Sequence, residues 1–154
     1  AEPADPDCSP VTHVVVDSGW EKVIAKFLEE SNLVRSYVKN DGLHFYVPYT
    51  YQGMAARYQP DFLARLSSND GLNRTLIVEV SGGVKRHHSP GTVKEKAETV
   101  RTLWIPAVER HGTHGLWGFV EIKDPSQGPR QIREAAEELL ARRVPNTGEG
   151  NAAA

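Results

Sequence analysis

The chain has 154 residues, with 18 lysines and arginines against 20 aspartates and glutamates and a formal net charge of −2. This length suffices for one domain with a sizeable core, and the near-neutral charge excludes nucleic-acid binding through an overall positive charge. A single cysteine, Cys8, excludes an internal disulfide and favours a reducing, cytoplasmic setting. No apolar run in the sequence reaches membrane-spanning length, so we expect no membrane association.

Both ends of the chain have compositions typical of disorder, rich in proline, aspartate, glycine and alanine. We therefore predict a disordered leader at 1–12, one domain at 13–144 and a disordered tail at 145–154. The missing initiating methionine indicates a domain of a longer chain or a processed start.

The first half of the domain reads as a helix followed by strands. "DSGWEKVIAKFLEESN" has apolar residues at helical spacing, and Ser18 with Glu21 forms a capping box. "LVRSYVK" and "LHFYV" predict an antiparallel hairpin joined through the turn "NDG". A third strand should start near Tyr58, with Pro60 tolerated at its beginning.

The second half predicts a parallel crossover. "TLIVEV" is apolar on both faces and should be a central strand. A helix from about Thr92 to Arg110 follows, which Pro106 should kink or shorten. Its buried stripe should consist of Val93, Ala97, Val100 and Trp104. "GLWGFVEI" should run parallel to the central strand, and "QIREAAEELLARR" closes as a helix. The order predicts an α/β fold built on a mixed sheet.

Two carboxylates stand in strand contexts: Asp61 in "QPDFL" and Glu79 in "IVEV". A buried carboxylate is costly unless it is paired, hydrogen-bonded or bound to a metal. On neighbouring strands the two acids could share a divalent cation, and carboxylate oxygens favour Mg²⁺ or Mn²⁺ over zinc. Alternatively, Asp61 caps a turn while Glu79 pairs with Arg65 or Arg74.

The run from "SYVKNDGLHFYVPYTYQGMAARYQPDFLARL" through "LIVEVSGG" to "KEKAETVRTLWIPAVERHGTHGLWGFVEI" resembles a known nuclease family. It is similar to the C-terminal nuclease domain of the restriction subunit of type III restriction–modification enzymes, within the PD-(D/E)XK superfamily. The resemblance implies a restriction-endonuclease-like sandwich with αβββαβ core order plus a C-terminal helix. It also implies double-stranded DNA as substrate, an ATP-dependent motor domain in the same longer chain, and a modification subunit as partner.

Matched to the family motif, Asp61 and Glu79 would be ligands of Mg²⁺, with Mn²⁺ as a possible substitute. The motif lysine is missing, because Ser81 stands at its position. A serine brings no positive charge to offset the charge that develops on a phosphate during hydrolysis. Lys96, in the "KA" pair of the crossover helix, or Lys85, in the preceding loop, could supply that charge.

Two further features complete the candidate site. Glu21 resembles the first-helix acid of these nucleases and is a possible third metal ligand, although the capping box already explains it. A loop that could contact phosphates consists of Lys85, Arg86, His87 and His88; a solvated surface loop is its alternative. Most of the tyrosines around the second hairpin, a group that includes Tyr58, are predicted to be half-buried sheet residues; stacking on a base is the alternative.

These residues lead to two hypotheses. The first is a metal-dependent DNA endonuclease. The second is a catalytically degenerate nuclease fold, silenced by Ser81, that acts as a DNA-binding or assembly module.

Overall fold

The computed structural model describes residues 2–3, 13–14, 19–81 and 93–143. The capping residue Ser18 and the loop residues Lys85, Arg86, His87 and His88 lie outside the described residues, as do the predicted tail and nearly all of the predicted leader. Within the described part, no helix has both the length and the apolar character needed to cross a membrane.

After two short strands, the described elements comprise one helix followed by a run of five strands, then a helical crossover, one more strand and a last helix. In the first half they are β1 (Glu2–Pro3), β2 (His13–Val14), α1 (Gly19–Glu30), β3 (Val34–Lys39), β4 (Val47–Tyr51), β5 (Met54–Tyr58), β6 (Phe62–Leu66) and β7 (Arg74–Val80). In the second half they are α2 (Val93–Thr99), a π-helical segment (Val100–Trp104), α3 (Ile105–His111), β8 (Leu116–Ile122), a 3₁₀ turn (Pro125–Gln127) and α4 (Gly128–Ala141).

A four-stranded sheet of order β3-β6-β7-β8 forms the centre of the domain. β6 pairs antiparallel with both β3 and β7, whereas β8 runs parallel to β7 after the helical crossover. The predicted α/β class with a mixed sheet is therefore confirmed. All seven residues of β7 are buried, in agreement with its prediction as a central strand.

Each face of the sheet is covered by its own hydrophobic core. α1 and α4 cover one face, which we call the α1/α4 face; its core includes Ile24, Leu28, Phe62, Val78 and Ile132. The crossover helices and the β4–β5 hairpin cover the other, which we call the crossover face; its core is formed by Val47, Tyr49, Tyr58, Ile77, Val100 and Ile105. Because side chains alternate along a strand, odd-numbered residues of β7 point to the crossover face.

The predicted hairpin through "NDG" is wrong. β3 pairs with β6, and the hairpin is formed by β4 and β5 around Gln52 and Gly53, whose φ values are 50° and 77°. Asn40 explains the difference, because its buried side-chain amide donates to the carbonyl oxygens of Phe45 (2.8 Å) and Pro60 (2.9 Å). These bonds hold the segment after β3 as a loop.

The strand predicted to start near Tyr58 is also shifted. Tyr58 ends β5, and the next strand, β6, begins only at Phe62, so Pro60 and Asp61 form the link between two strands. The predicted crossover helix is present, and it continues past Pro106 to His111. Pro106 lies in the first turn of α3, directly after the π-helical segment, where a residue without an N–H is tolerated.

Candidate functional site

Three carboxylates lie in a row across the end of the crossover face. Glu79 of β7 and Glu121 of β8 are direct register partners. Phe62 of β6 pairs with Val78 of β7, and the two strands are antiparallel. Asp61, the residue before Phe62, is therefore next to Glu79, the residue after Val78. We call Asp61, Glu79 and Glu121 the acidic row. Two of its members, Asp61 and Glu79, were predicted from the sequence to converge.

The position of Asp61 is set by contacts on both sides. Its carbonyl oxygen accepts the main-chain N–H of Asn40 at 2.8 Å. Its carboxylate oxygen Oδ2 accepts the main-chain N–H of Val80 at 2.7 Å. Asp61 therefore reaches across to the end of β7, beside Glu79, and this contact differs from the local turn cap considered as an alternative.

Glu79 is 2% exposed and accepts a hydrogen bond from the hydroxyl of Tyr58 at 2.5 Å. Tyr58 is itself buried, and burial, followed by the negative charges of Glu79, Asp61 and Glu121, raises its pKa well above the ordinary tyrosine value. The Tyr58 hydroxyl therefore remains a hydrogen-bond donor at neutral pH. Tyr58, predicted as a half-buried sheet residue, instead lies inside the site.

The alternative partners of Glu79 lie elsewhere. The guanidinium of Arg74 lies on the α1/α4 face, where it donates to the carbonyl of Leu139 (3.0 Å) and pairs with Asp70 at 2.7 Å. Arg65 lies four residues beyond Asp61, toward the other end of the sheet. Pairing with Arg74 or Arg65 thus does not account for the burial of Glu79.

Lys96 brings a positive charge to the acidic row. It is 3% exposed, and its ammonium nitrogen lies 5.8 Å from the centroid of the Tyr58 ring. A cation over an aromatic face is attracted by the ring's electrons. The crossover helix thus places the lysine beside the tyrosine that donates to Glu79. Ser81 follows β7 directly, half-buried, and its main-chain N–H donates to the carbonyl of Ile122 at 2.9 Å.

Glu121, like Tyr58, is a site residue that the sequence did not predict. Its side chain is only 10% exposed, and among the described residues its Oε2 atom has no hydrogen-bond partner. Its other oxygen, Oε1, lies 3.4 Å from the ammonium of Lys123. A sequence signal for this residue was present, because "FVEI" repeats the aliphatic-glutamate-aliphatic pattern of "IVEV" in a strand predicted to be parallel to it.

Glu21 is engaged in an ion pair. It is 4% exposed, and its carboxylate lies 3.4 Å from the ammonium of Lys39, which also contacts Asp41 at 2.6 Å. Lys39 is the register partner of Phe62, whose side chain belongs to the core beneath α1 and α4. The role of Glu21 as a third metal ligand stays a prediction.

The donor chemistry of the acidic row suits a hard divalent cation such as Mg²⁺ or Mn²⁺, because all of its donors are carboxylate oxygens. The Oε2 atom of Glu121 is buried, and no described residue donates a hydrogen bond to it, so this oxygen could still accept a donor or a cation. In the described arrangement, however, no three His, Cys, Asp or Glu side chains are grouped closely enough to hold an ion. One oxygen of Glu79 is already bonded to Tyr58.

The chain was compared with models of protein families, with curated proteins and with solved structures, and none of the three comparisons found a match. The family resemblance that "PDF" and "IVEV" carry therefore stays a prediction. What the structure adds is that Asp61, Glu79 and Lys96, three residues selected from the sequence, surround one buried tyrosine.

Proposed function

We propose that this chain is a metal-dependent DNA endonuclease domain with a restriction-endonuclease-like fold, acting within a restriction system. The observation that carries the proposal is the acidic row on one sheet face together with the buried Lys96 beside it. The topology supports it as well, because α1, β3, β6, β7, the crossover helix and β8 follow the αβββαβ order once the β4–β5 hairpin is treated as an insertion.

In this proposal Asp61 and Glu79 would hold Mg²⁺, which when bound lowers the pKa of a water molecule and offsets negative charge on the phosphate. Tyr58 orients the Glu79 carboxylate through its hydroxyl. Lys96 supplies the positive charge that Ser81 lacks, from a position largely closed to solvent, where a charge interacts more strongly than in water.

The wider system follows from the same resemblance. The substrate would be double-stranded DNA, and the domain would belong to a longer chain with an ATP-dependent motor domain and would work with a modification subunit. Hydrolysis of a phosphodiester bond is the only step that we assign to the residues of this domain.

A second candidate function is a degenerate nuclease fold that binds DNA or supports assembly without cutting. Two observations favour it: Ser81 replaces the motif lysine, and the Tyr58 hydroxyl already occupies an oxygen of Glu79. A metal ion would have to share or displace that hydrogen bond.

Nicking of supercoiled plasmid in Mg²⁺ and in Mn²⁺ tests the proposal. Asp61→Asn keeps an acceptor for the Val80 N–H, and Glu79→Gln keeps one for Tyr58, so each removes charge with little change of shape. We expect either variant to slow cleavage about 100-fold or more, in line with the loss of one transition-state contact. Glu134→Gln is the matched control, because Glu134 is exposed on α4, on the other side of the sheet.

Lys96→Met tests the role assigned to the lysine within the endonuclease proposal. Under the endonuclease proposal it slows cleavage while the fold is retained. Cleavage that is unchanged in Asp61→Asn would refute the proposal. Absence of cleavage by the unchanged chain, with activity gained in Ser81→Lys, would establish the degenerate module instead.

A further inference from the structure

A second row of side chains crosses the same face of the sheet at its other end. Ser36 pairs in register with Arg65, Arg65 with Thr75, and Thr75 with Trp117. Arg65 lies four residues after Asp61 on β6, and Thr75 lies four before Glu79 on β7. Because four is an even number of residues and side chains alternate along a strand, both rows lie on the crossover face. They are about 13 Å apart at roughly 3.3 Å per strand residue.

This second row lies in an open groove of about 500 Å³. The lining residues are Arg35, Ser36, Tyr37, Val38, Leu63, Arg65, Thr75 and Trp117. No carboxylate is among them, whereas Arg35 and Arg65 are both exposed and form no ion pair with the residues that the structure describes. In a chain with a net charge of −2, the groove is thus a local concentration of positive charge.

A β-bulge contributes to this arrangement. Val34 pairs with Leu66 and Ser36 pairs with Arg65, so Arg35 is the extra residue of β3 in the ladder with β6. A bulge interrupts strict alternation and redirects a side chain. Arg35 consequently lines the same groove as Arg65, although the two arginines belong to different strands.

We propose that Arg35 and Arg65 bind backbone phosphates of the DNA whose scissile phosphate lies at the acidic row. The inference rests on the proposed function and specifies how its substrate is held. Guanidinium groups match phosphate geometry through paired N–H donors. Phosphate contacts of this kind position a nucleic acid on the protein without reading its base sequence.

The test is binding of a short labelled DNA duplex, followed by fluorescence anisotropy in EDTA at several salt concentrations. EDTA removes any need for a metal or for cleavage. Arg35→Gln, Arg65→Gln and the double variant are compared with the unchanged chain. Arg133→Gln is the matched control. Arg133 is an exposed arginine of α4, near the ring of Phe27, and α4 covers the α1/α4 face rather than the crossover face.

We expect the double variant to bind about tenfold or more weakly at low salt, as charged hydrogen bonds are lost. The slope of log affinity against log salt should fall in magnitude by about 1.8 if each arginine contacts one phosphate. The single variants should each account for about half of that change, and Arg133→Gln for almost none. Unfolding curves of the variants verify that each has folded.

Equal affinities and slopes for the double variant and Arg133→Gln would overturn the inference, and so would a failure of the unchanged chain to bind. Arginine-dependent binding without any cleavage would leave the phosphate site in place and refute the endonuclease proposal alone. Cleavage that requires Asp61, combined with binding that is indifferent to Arg35 and Arg65, would refute the phosphate site alone.

Discussion

The hydrogen bond from Tyr58 to Glu79 should make the stability of the domain and the proposed metal binding depend on each other. Tyr58→Phe removes one hydroxyl and leaves the ring in place. Glu79 is 2% exposed, so the carboxylate oxygen that accepts at 2.5 Å loses its donor without gaining bulk water. A hydrogen bond to a charged group contributes about 1.5–3 kcal/mol, and we expect a loss of that size in the free energy of unfolding.

The corresponding change in melting temperature follows from the size of the chain. A protein of about 150 residues shifts by roughly 2–4 °C per kcal/mol, which predicts a decrease of about 3–12 °C. Urea unfolding followed by circular dichroism, together with thermal melts, measures both quantities. Tyr46→Phe is the control, because the Tyr46 ring stacks near His44 and under Arg57 and is only half-buried. Its effect should stay within about 0.5 kcal/mol.

Metal addition gives the second half of this prediction. Under the endonuclease proposal, a cation bound at Glu79 would compete with the Tyr58 hydroxyl for the oxygen that this hydroxyl occupies. In Tyr58→Phe it would meet no such competition. We therefore expect excess Mg²⁺ to raise the melting temperature more in Tyr58→Phe than in the unchanged chain, and not at all in Glu79→Gln. An equal or smaller increment in Tyr58→Phe would refute the competition, and an unchanged unfolding free energy in EDTA would refute the hydrogen-bond argument.

Two further substitutions and one pH series test buried polar groups of the fold. Thr75→Val should stabilise the fold by about 1 kcal/mol in urea unfolding, because the buried Thr75 hydroxyl has no hydrogen-bond partner in the described structure. Arg142→Met should destabilise it by about 3–5 kcal/mol, since the fully buried Glu109 carboxylate would lose the guanidinium that contacts it at 2.7 and 2.8 Å; Arg130→Met, an exposed substitution, should have little effect. The raised pKa of Tyr58 means that the folded state holds this proton more tightly than the unfolded chain. The stabilising contribution of this proton is complete below about pH 10, the pKa of tyrosine in the unfolded chain, and is lost as the pH rises through the higher pKa of the folded state. Between about pH 9 and 11 the free energy of unfolding should therefore decrease less in Tyr58→Phe than in the unchanged chain.

Local patterns in the amino-acid sequence were sufficient to predict most of the elements. The helical spacing of "WEKVIAKFL" predicted α1, and the aliphatic run around Glu79 predicted a central strand that is buried throughout. The crossover helix also made the parallel pairing of β8 predictable. The same patterns identified Glu79, because a carboxylate within a buried strand is conspicuous in any sequence. Asp61 was identified from an expected strand context, although the structure places it in the link before β6.

Pairings between distant segments were decided by the tertiary structure. A tight turn at "NDG" and one at Gln52-Gly53 are both locally acceptable, but the bonds from Asn40 to Phe45 and Pro60 depend on residues up to 20 positions away. The bulge at Arg35 likewise arises only against β6.

The same reason explains which site residues were missed. Tyr58 has ordinary strand surroundings in the sequence, and it joins the site only because β5 lies over β7. Glu121 repeats the pattern around Glu79, but only the register of β8 against β7 makes the two glutamates neighbours. Short-range periodicity determines which segments form helices and strands. Register and layer contacts, which depend on burying whole faces at once, determine which side chains meet.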